Sequence, residues 1–215
     1  MFVKSIIDTS KENGNITVII ANESGNGEEC LILSLGAYKR MAKSLGRGIC
    51  ELDEVTEEIY DALHVYAEQT SALREGARIL SAGDKSAKEI VRKLTAKGFS
   101  RESAEYAVEF LSEKGYLSEE KACMRIAESA VKIKHIGKRR VLDYLLSHGY
   151  SSEAAKNAVE SISDEDYTEA LRYQMTKKYP NAWEMSRSEQ QKMIAAMMRQ
   201  GFSAGEVLDY IKQNK

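Results

Sequence analysis

The 215 residues are 43% hydrophobic and 30% charged, with a formal net charge of −2, which fits a folded chain with a densely charged surface and excludes wholesale disorder. No apolar run approaches the roughly eighteen residues needed to cross a bilayer. The opening MFVKSIIDTSKENG has neither a long apolar core nor a small-residue cleavage site, so it does not read as a secretory signal, and a cytoplasmic protein is expected. Cys30, Cys50 and Cys123 are far apart and form no CxxC pair; they read as free thiols in a reducing compartment. The charge is uneven. Residues 1–70 hold 6 Lys and Arg against 12 Asp and Glu, and residues 71–215 hold 25 against 21.

In chain order, ITVIIANE (Ile16 to Glu23) and ECLILSL (Glu29 to Leu35) are β-branched or apolar runs. They are separated by SGNGE, where Gly25, Asn26 and Gly27 supply the backbone freedom of a tight hairpin. GAYKRMAKSLGRG then predicts a short helix ended by Gly46, with a second helical stretch from about Asp53. The N-terminal portion is expected to be a small hairpin-and-helix segment.

From about Ser71 the pattern is helical and repeats itself. Gly98-Phe99, Gly149-Tyr150 and Gly201-Phe202 recur at spacings of 51 and 52, followed by Ser100, Ser151 and Ser203. A glycine ends one helix in the left-handed conformation, and the serine accepts backbone N–H bonds to begin the next. Upstream, Ile90, Val91 and Leu94 match Val141, Leu142 and Leu145, and then Met193, Ile194 and Met197. Downstream, Ala107, Val108 and Leu111 match Ala158, Val159 and Ile162, with Val207, Tyr210 and Ile211 closing the third copy. A further helix precedes each pair, marked by Ala77-Arg78-Ile79, Met124-Arg125-Ile126 and Leu171-Arg172-Tyr173. The expected fold is mainly α: three tandem three-helix repeats forming an elongated curved body after the N-terminal segment. The divisions are 1–70 for that segment, then 71–120, 121–166 and 167–215 for the repeats.

Chemistry is sparse. His64, His135 and His148 stand in no HExxH-like arrangement, GNG and GRG lack the lysine of a phosphate loop, and no serine lies in a GxSxG elbow. No catalytic residue, metal ligand or cofactor is expected, and the carboxylates from Glu51 to Glu58 read as a solvated helix face. The run VKIKHIGKRR places Lys132, Lys134, Lys138, Arg139 and Arg140 together with no intervening acid. Lys85, Lys88, Arg92, Lys93 and Lys97 add a second basic stretch, and residues 74–140 hold 16 cations against 10 carboxylates. Such a surface suits an anionic partner. The recurrent Arg78, Arg125 and Arg172 read first as ion-pair partners between repeats and second as partner contacts. Trp183 is either a packing anchor or an exposed contact.

Three stretches resemble the RecX family, regulators of the RecA recombinase. SAKEIVRKLTAKGF (Ser86 to Phe99) is similar to the family's serine, acidic-aliphatic, Lys-Leu and Lys-Gly-aromatic pattern. IGKRRVLDYLLSHGY (Ile136 to Tyr150) resembles its Gly-basic-Arg opening and the Leu and Gly that close that helix. Ala170, Lys177, Lys178 and RQGFS (Arg199 to Ser203) fit its closing repeat. The likeness covers about residues 71–215. It departs after Gly115, where the segment to Ala122 lacks the family's phenylalanine and displaces its acidic pair.

The resemblance implies a non-enzymatic modulator that lies in the groove of the RecA filament on single-stranded DNA and restrains ATP hydrolysis, strand exchange and co-protease activity. It implies a monomer touching RecA and, within the filament, single-stranded DNA, with no membrane and no small-molecule substrate. Partner contact is expected at Arg92, Lys93, Lys97, Lys132, Lys134, Lys138, Arg139, Arg140 and Arg172. A helical-repeat adaptor with a different protein partner is the alternative. An autonomous DNA-binding protein fits the net charge poorly.

Overall fold

A computed structural model describes residues 1–22 and 27–214. The hairpin turn expected at Gly25 and Asn26 lies outside the described residues. The chain forms two compact units, Met1–Ala82 with Ile90–Leu117, and Gly83–Glu89 with Ser118–Lys215.

The first unit opens with an antiparallel sheet in the order β1 (Phe2–Thr9), β2 (Asn15–Ala21), β3 (Glu28–Ser34), with a four-residue helix α1 (Ser10–Asn13) between the first two strands. The expected hairpin is therefore the second half of a three-stranded sheet. Alternation sets its faces. Ile16, Val18 and Ile20 of β2 and Leu31 and Leu33 of β3 point inward, with Ile16 opposite Leu33 and Val18 opposite Leu31. Register on β1 shifts between Val3 and Ser5, which breaks the simple alternation and hides the strand from pattern reading.

Helix α2 (Leu35–Ser44) is capped by Ser34, whose hydroxyl accepts from the Ala37 N–H, and ends before Gly46 at φ 71°. Helix α3 (Glu57–Ser81) starts four residues later than Asp53, because Thr56 supplies the cap. Its Ile59, Leu63 and Ala67, with Ala37 and Met41 of α2, cover the sheet. The helix then runs unbroken past residues 70 and 71, where the sequence division was drawn. Its second half packs on α5 (Arg101–Glu113) through small residues: a Cβ on Gly76 would lie 3.1 Å from Leu111 Cδ1. Between them lies α4 (Ala87–Ala96).

The second unit carries α6 (Glu119–Lys132), α7 (Lys138–Ser147), α8 (Ser152–Glu160), α9 (Asp164–Lys178), α10 (Arg187–Arg199) and α11 (Ala204–Gln213). One continuous core joins them, including Ala127, Leu145, Ala155, Met175, Met193, Met197 and Val207. The helix-ending glycines behave as the period predicts: Gly98, Gly149 and Gly201 have φ of 95°, 85° and 95°. Ser100, Ser151 and Ser203 cap α5, α8 and α11. Two glutamates also recur: Glu68 accepts from the Ser100 N–H at 2.8 Å, and Glu119 from the Ser151 N–H at 2.9 Å. Among the described residues, no helix is long and apolar enough to cross a membrane.

Candidate functional site

The basic run of the second unit is built around α7. Gly137 is its N-cap and offers no side chain to close the helix. Backbone carbonyls of the α10–α11 turn do so instead: the Gly137 N–H donates to Gln200 O (2.9 Å) and the Arg139 N–H to Gly201 O (3.3 Å). The approach is close enough that a Cβ on Gly137 would fall on the Gly201 carbonyl and 2.6 Å from the Phe202 nitrogen.

An earlier contact uses the same logic. Ser86, at the start of α4, caps that helix by accepting from the Glu89 N–H and donates its hydroxyl to His148 O at 2.6 Å. A Cβ on the adjacent Gly149 would lie 3.2 Å from Ser86 Oγ. In both places, the start of one repeat's second helix rests on the glycine turn closing the next repeat's second helix.

The docking places Lys134, Arg139 and Arg140 around an open groove of about 950 Å³ with Arg199, against a single carboxylate, Asp143. Arg140 Nη1 donates to Arg199 O (2.8 Å), tying its guanidinium to the end of α10. The first turn of α7 holds no acidic residue of its own, so within that turn nothing offsets the helix dipole or the charges of Arg139 and Arg140. Arg199 escaped the sequence reading because it stands apart from the basic run; only the fold brings it there.

The other expected residues divide. Lys138 pairs with Asp164 (2.6 Å) and sits over Tyr167 at 5.1 Å. Lys132 is exposed. Arg172 lines a separate recess with Glu169, Tyr173, Thr176 and Lys177. Arg92 and Lys93 lie on the first-unit part of α4, and Lys97, in the turn that follows it, pairs with Glu75 at 3.0 Å. Of the recurrent arginines, only Arg125 bridges between repeats as expected. It donates through Nε (2.8 Å) and Nη2 to Asp84 and holds that carboxyl below its usual range. Arg78 pairs instead with Glu75 on its own helix, and Arg172 has no ion pair among the described residues.

Trp183 is 37% exposed in the turn before α10. Cys30 and Cys50 are exposed, whereas Cys123 is buried and its thiol is pushed up to about 11. Among the described residues, no group of three or more His, Cys, Asp or Glu is placed to hold a metal ion.

Known proteins agree with this architecture. Residues 72–111 match the family model described as the first three-helix domain of RecX, and residues 164–211 the one described as its third. The regulatory protein RecX of Caldanaerobacter subterraneus subsp. tengcongensis is 29% identical over 188 residues, covering 87% of this chain and 93% of that protein. The RecX of Vibrio vulnificus is 28% identical over 134 residues, covering 60% of this chain and 84% of its own. A crystal structure of a regulatory protein RecX superposes with a TM-score of 0.74 at 16% identity, covering 99% of this chain and 98% of that one. RecX from Lactobacillus salivarius gives 0.59 at 17%, over 68% and 96%. The glycine-serine period, the three-helix domains matched at both ends of the helical region and a relative aligned over most of the chain make this protein similar to the RecX family of regulatory proteins.

Proposed function

We propose that this chain modulates a RecA recombinase by lodging in the groove of the filament that RecA forms on single-stranded DNA. There it restrains ATP hydrolysis, strand exchange and co-protease activity. It does so by binding, as a monomer in the cytoplasm, without catalysis or a cofactor of its own. The observation that carries this reading is the convergence of Lys134, Arg139, Arg140 and Arg199 on one open groove with a lone opposing carboxylate, Asp143. A RecA filament on DNA is a polyanion at its core, and a concentrated positive face speeds encounter and fixes register. Similarity to proteins named regulatory protein RecX supports the regulatory role, and the resemblance of the repeats supports the partner.

The test is co-sedimentation with RecA filaments assembled on single-stranded DNA with a slowly hydrolysed nucleotide, paired with RecA's DNA-dependent ATPase. Binding should appear together with slowed hydrolysis, and both should weaken as salt rises. A chain that neither sediments with filaments nor alters hydrolysis at low salt removes this reading and leaves the helical-repeat adaptor.

A further inference from the structure

The connection from α6 to α7, residues 133–137, is held at several points. His135 adopts the left-handed conformation at φ 51° and stacks on Tyr173 with ring centroids 3.7 Å apart. The Gln174 side-chain amide donates to the carbonyls of Lys134 (3.4 Å) and His135 (3.1 Å). The N–H groups of Ile133 and His135 continue the α6 ladder onto Ser129 and Val131. Within this fixed turn, Ile136 is 7% exposed and Ile133 is 72% exposed.

A single exposed aliphatic side chain is ordinary on any surface. Ile133 differs in being presented by an ordered turn, so its burial against a partner is not opposed by the cost of ordering a loop. It also has a charged frame. Lys132 and Lys134 flank it, both exposed, and Tyr173 connects the turn to the recess of Arg172 and Lys177, where Glu169 is the one carboxylate. An apolar centre with a cationic rim is complementary to an apolar socket rimmed by carboxylates.

Single-stranded nucleic acid suits this face less well, because its readers keep aromatic faces open to stack bases. The rings beside the basic run are already engaged. Tyr173 carries His135 and has Lys177 Nζ 5.5 Å from its centroid. Tyr144 carries Lys134 Nζ at 4.6 Å and lies 4.2 Å from the His148 ring. Tyr167, next to Lys138, is 2% exposed. These rings steer cations instead of receiving bases.

We propose that Ile133 is the apolar anchor by which the second unit grips an acidic protein face, with Lys132, Lys134 and Arg172 setting register around it. This rests on the filament reading and assigns the contact to the filament's protein, not its DNA.

The experiment compares the parent chain with Ile133→Ser, Ile133→Met and, as an exposed aliphatic control on α11, Leu208→Ser. Affinity is measured for RecA filaments by co-sedimentation and for a labelled oligothymidylate by fluorescence anisotropy. Ile133→Ser should weaken filament binding by roughly tenfold, while Ile133→Met and Leu208→Ser stay within about twofold. Oligothymidylate binding should be the same in all four proteins. Ile133→Ser binding filaments as well as the parent overturns the anchor, as does an equal loss on the oligonucleotide. A parent that does not sediment with filaments overturns the filament reading itself, and the anchor with it.

Discussion

Gly201 lies against Arg140 so closely that a Cβ on the glycine would sit 2.5 Å from the Arg140 nitrogen and 2.6 Å from its Cβ. With φ of 95° at the same residue, the position is constrained twice, by its own backbone and by the helix docked on it. Gly98 ends α4 with the same φ but has open space where its Cβ would go. The two positions therefore separate conformational strain from close packing. Gly98→Ala should cost about 1 to 2 kcal/mol, the strain alone. Gly201→Ala and Gly137→Ala should each cost about 3 kcal/mol or more, because backbone must move. Urea unfolding monitored by circular dichroism checks the order; equal losses at Gly98 and Gly201 would show that the α7 contact yields easily.

Ser86 is 1% exposed and serves two helices, accepting from the Glu89 N–H and donating to His148 O at 2.6 Å. Ser86→Ala removes a cap and leaves a carbonyl unpaired, for a loss of about 2 kcal/mol. Ser100→Ala removes a cap and the hydroxyl's 2.6 Å bond to Glu68 Oε2, but in the exposed setting of α5, where water replaces both, it should cost about 1 kcal/mol. Thermal melts of the two variants, run side by side, test this ranking.

Glu75 accepts from Arg78 through Nε and Nη2 at 2.8 and 2.6 Å and pairs with Lys97 at 3.0 Å. The Arg78 hydrogen bonds, then that of Lys97, hold its carboxyl at about 2, well below its ordinary 4.5. A depressed folded-state value means the stabilisation is complete above about pH 4.5 and is lost as pH falls toward about 2. The urea midpoint of the parent should therefore fall across that window. Glu75→Gln, which cannot ionise, should show a shallower decline there. Parallel declines would remove Glu75 from the acid response.

The repeats were legible because their signals are local: a glycine that ends a helix and a serine that begins the next reappear about every fifty residues, and each acts through its own backbone or side chain. The Glu68–Ser100 and Glu119–Ser151 pairs were in principle readable, since each spans 32 residues, but a surface glutamate has many ordinary explanations. Other features have no side-chain signature. The cap on α7 is made by the carbonyls of Gln200 and Gly201, and every residue has a carbonyl. The strand Phe2–Thr9 is masked by its irregular register. The basic run itself was visible. What was not visible is that the fold gathers Lys134, Arg139 and Arg140 with the distant Arg199, while tying Lys138 to Asp164 and leaving Arg172 in another recess.

That partition makes the charge prediction sharper than a uniform reversal of the run. Lys138 is already opposed by Asp164 at 2.6 Å, so its net field toward a partner is small. Arg139 and Arg199 line the groove with Asp143 as the sole acidic group, and Arg199 contributes its carbonyl, not its guanidinium, to the bond with Arg140. Reversing both therefore alters the field without removing a described ion pair. Both side chains are exposed, so folding stability should change by less than about 0.5 kcal/mol per site. In the RecA ATPase assay, Arg139→Glu with Arg199→Glu should weaken inhibition by roughly tenfold at low salt and flatten its salt dependence, because fewer opposite charges remain to be screened. Lys138→Glu should stay within about twofold of the parent. If Lys138→Glu is as damaging as the double reversal, the active cations are those of the helix entrance and not of the groove. If neither variant changes inhibition at any salt concentration, this basic face is only solvated surface.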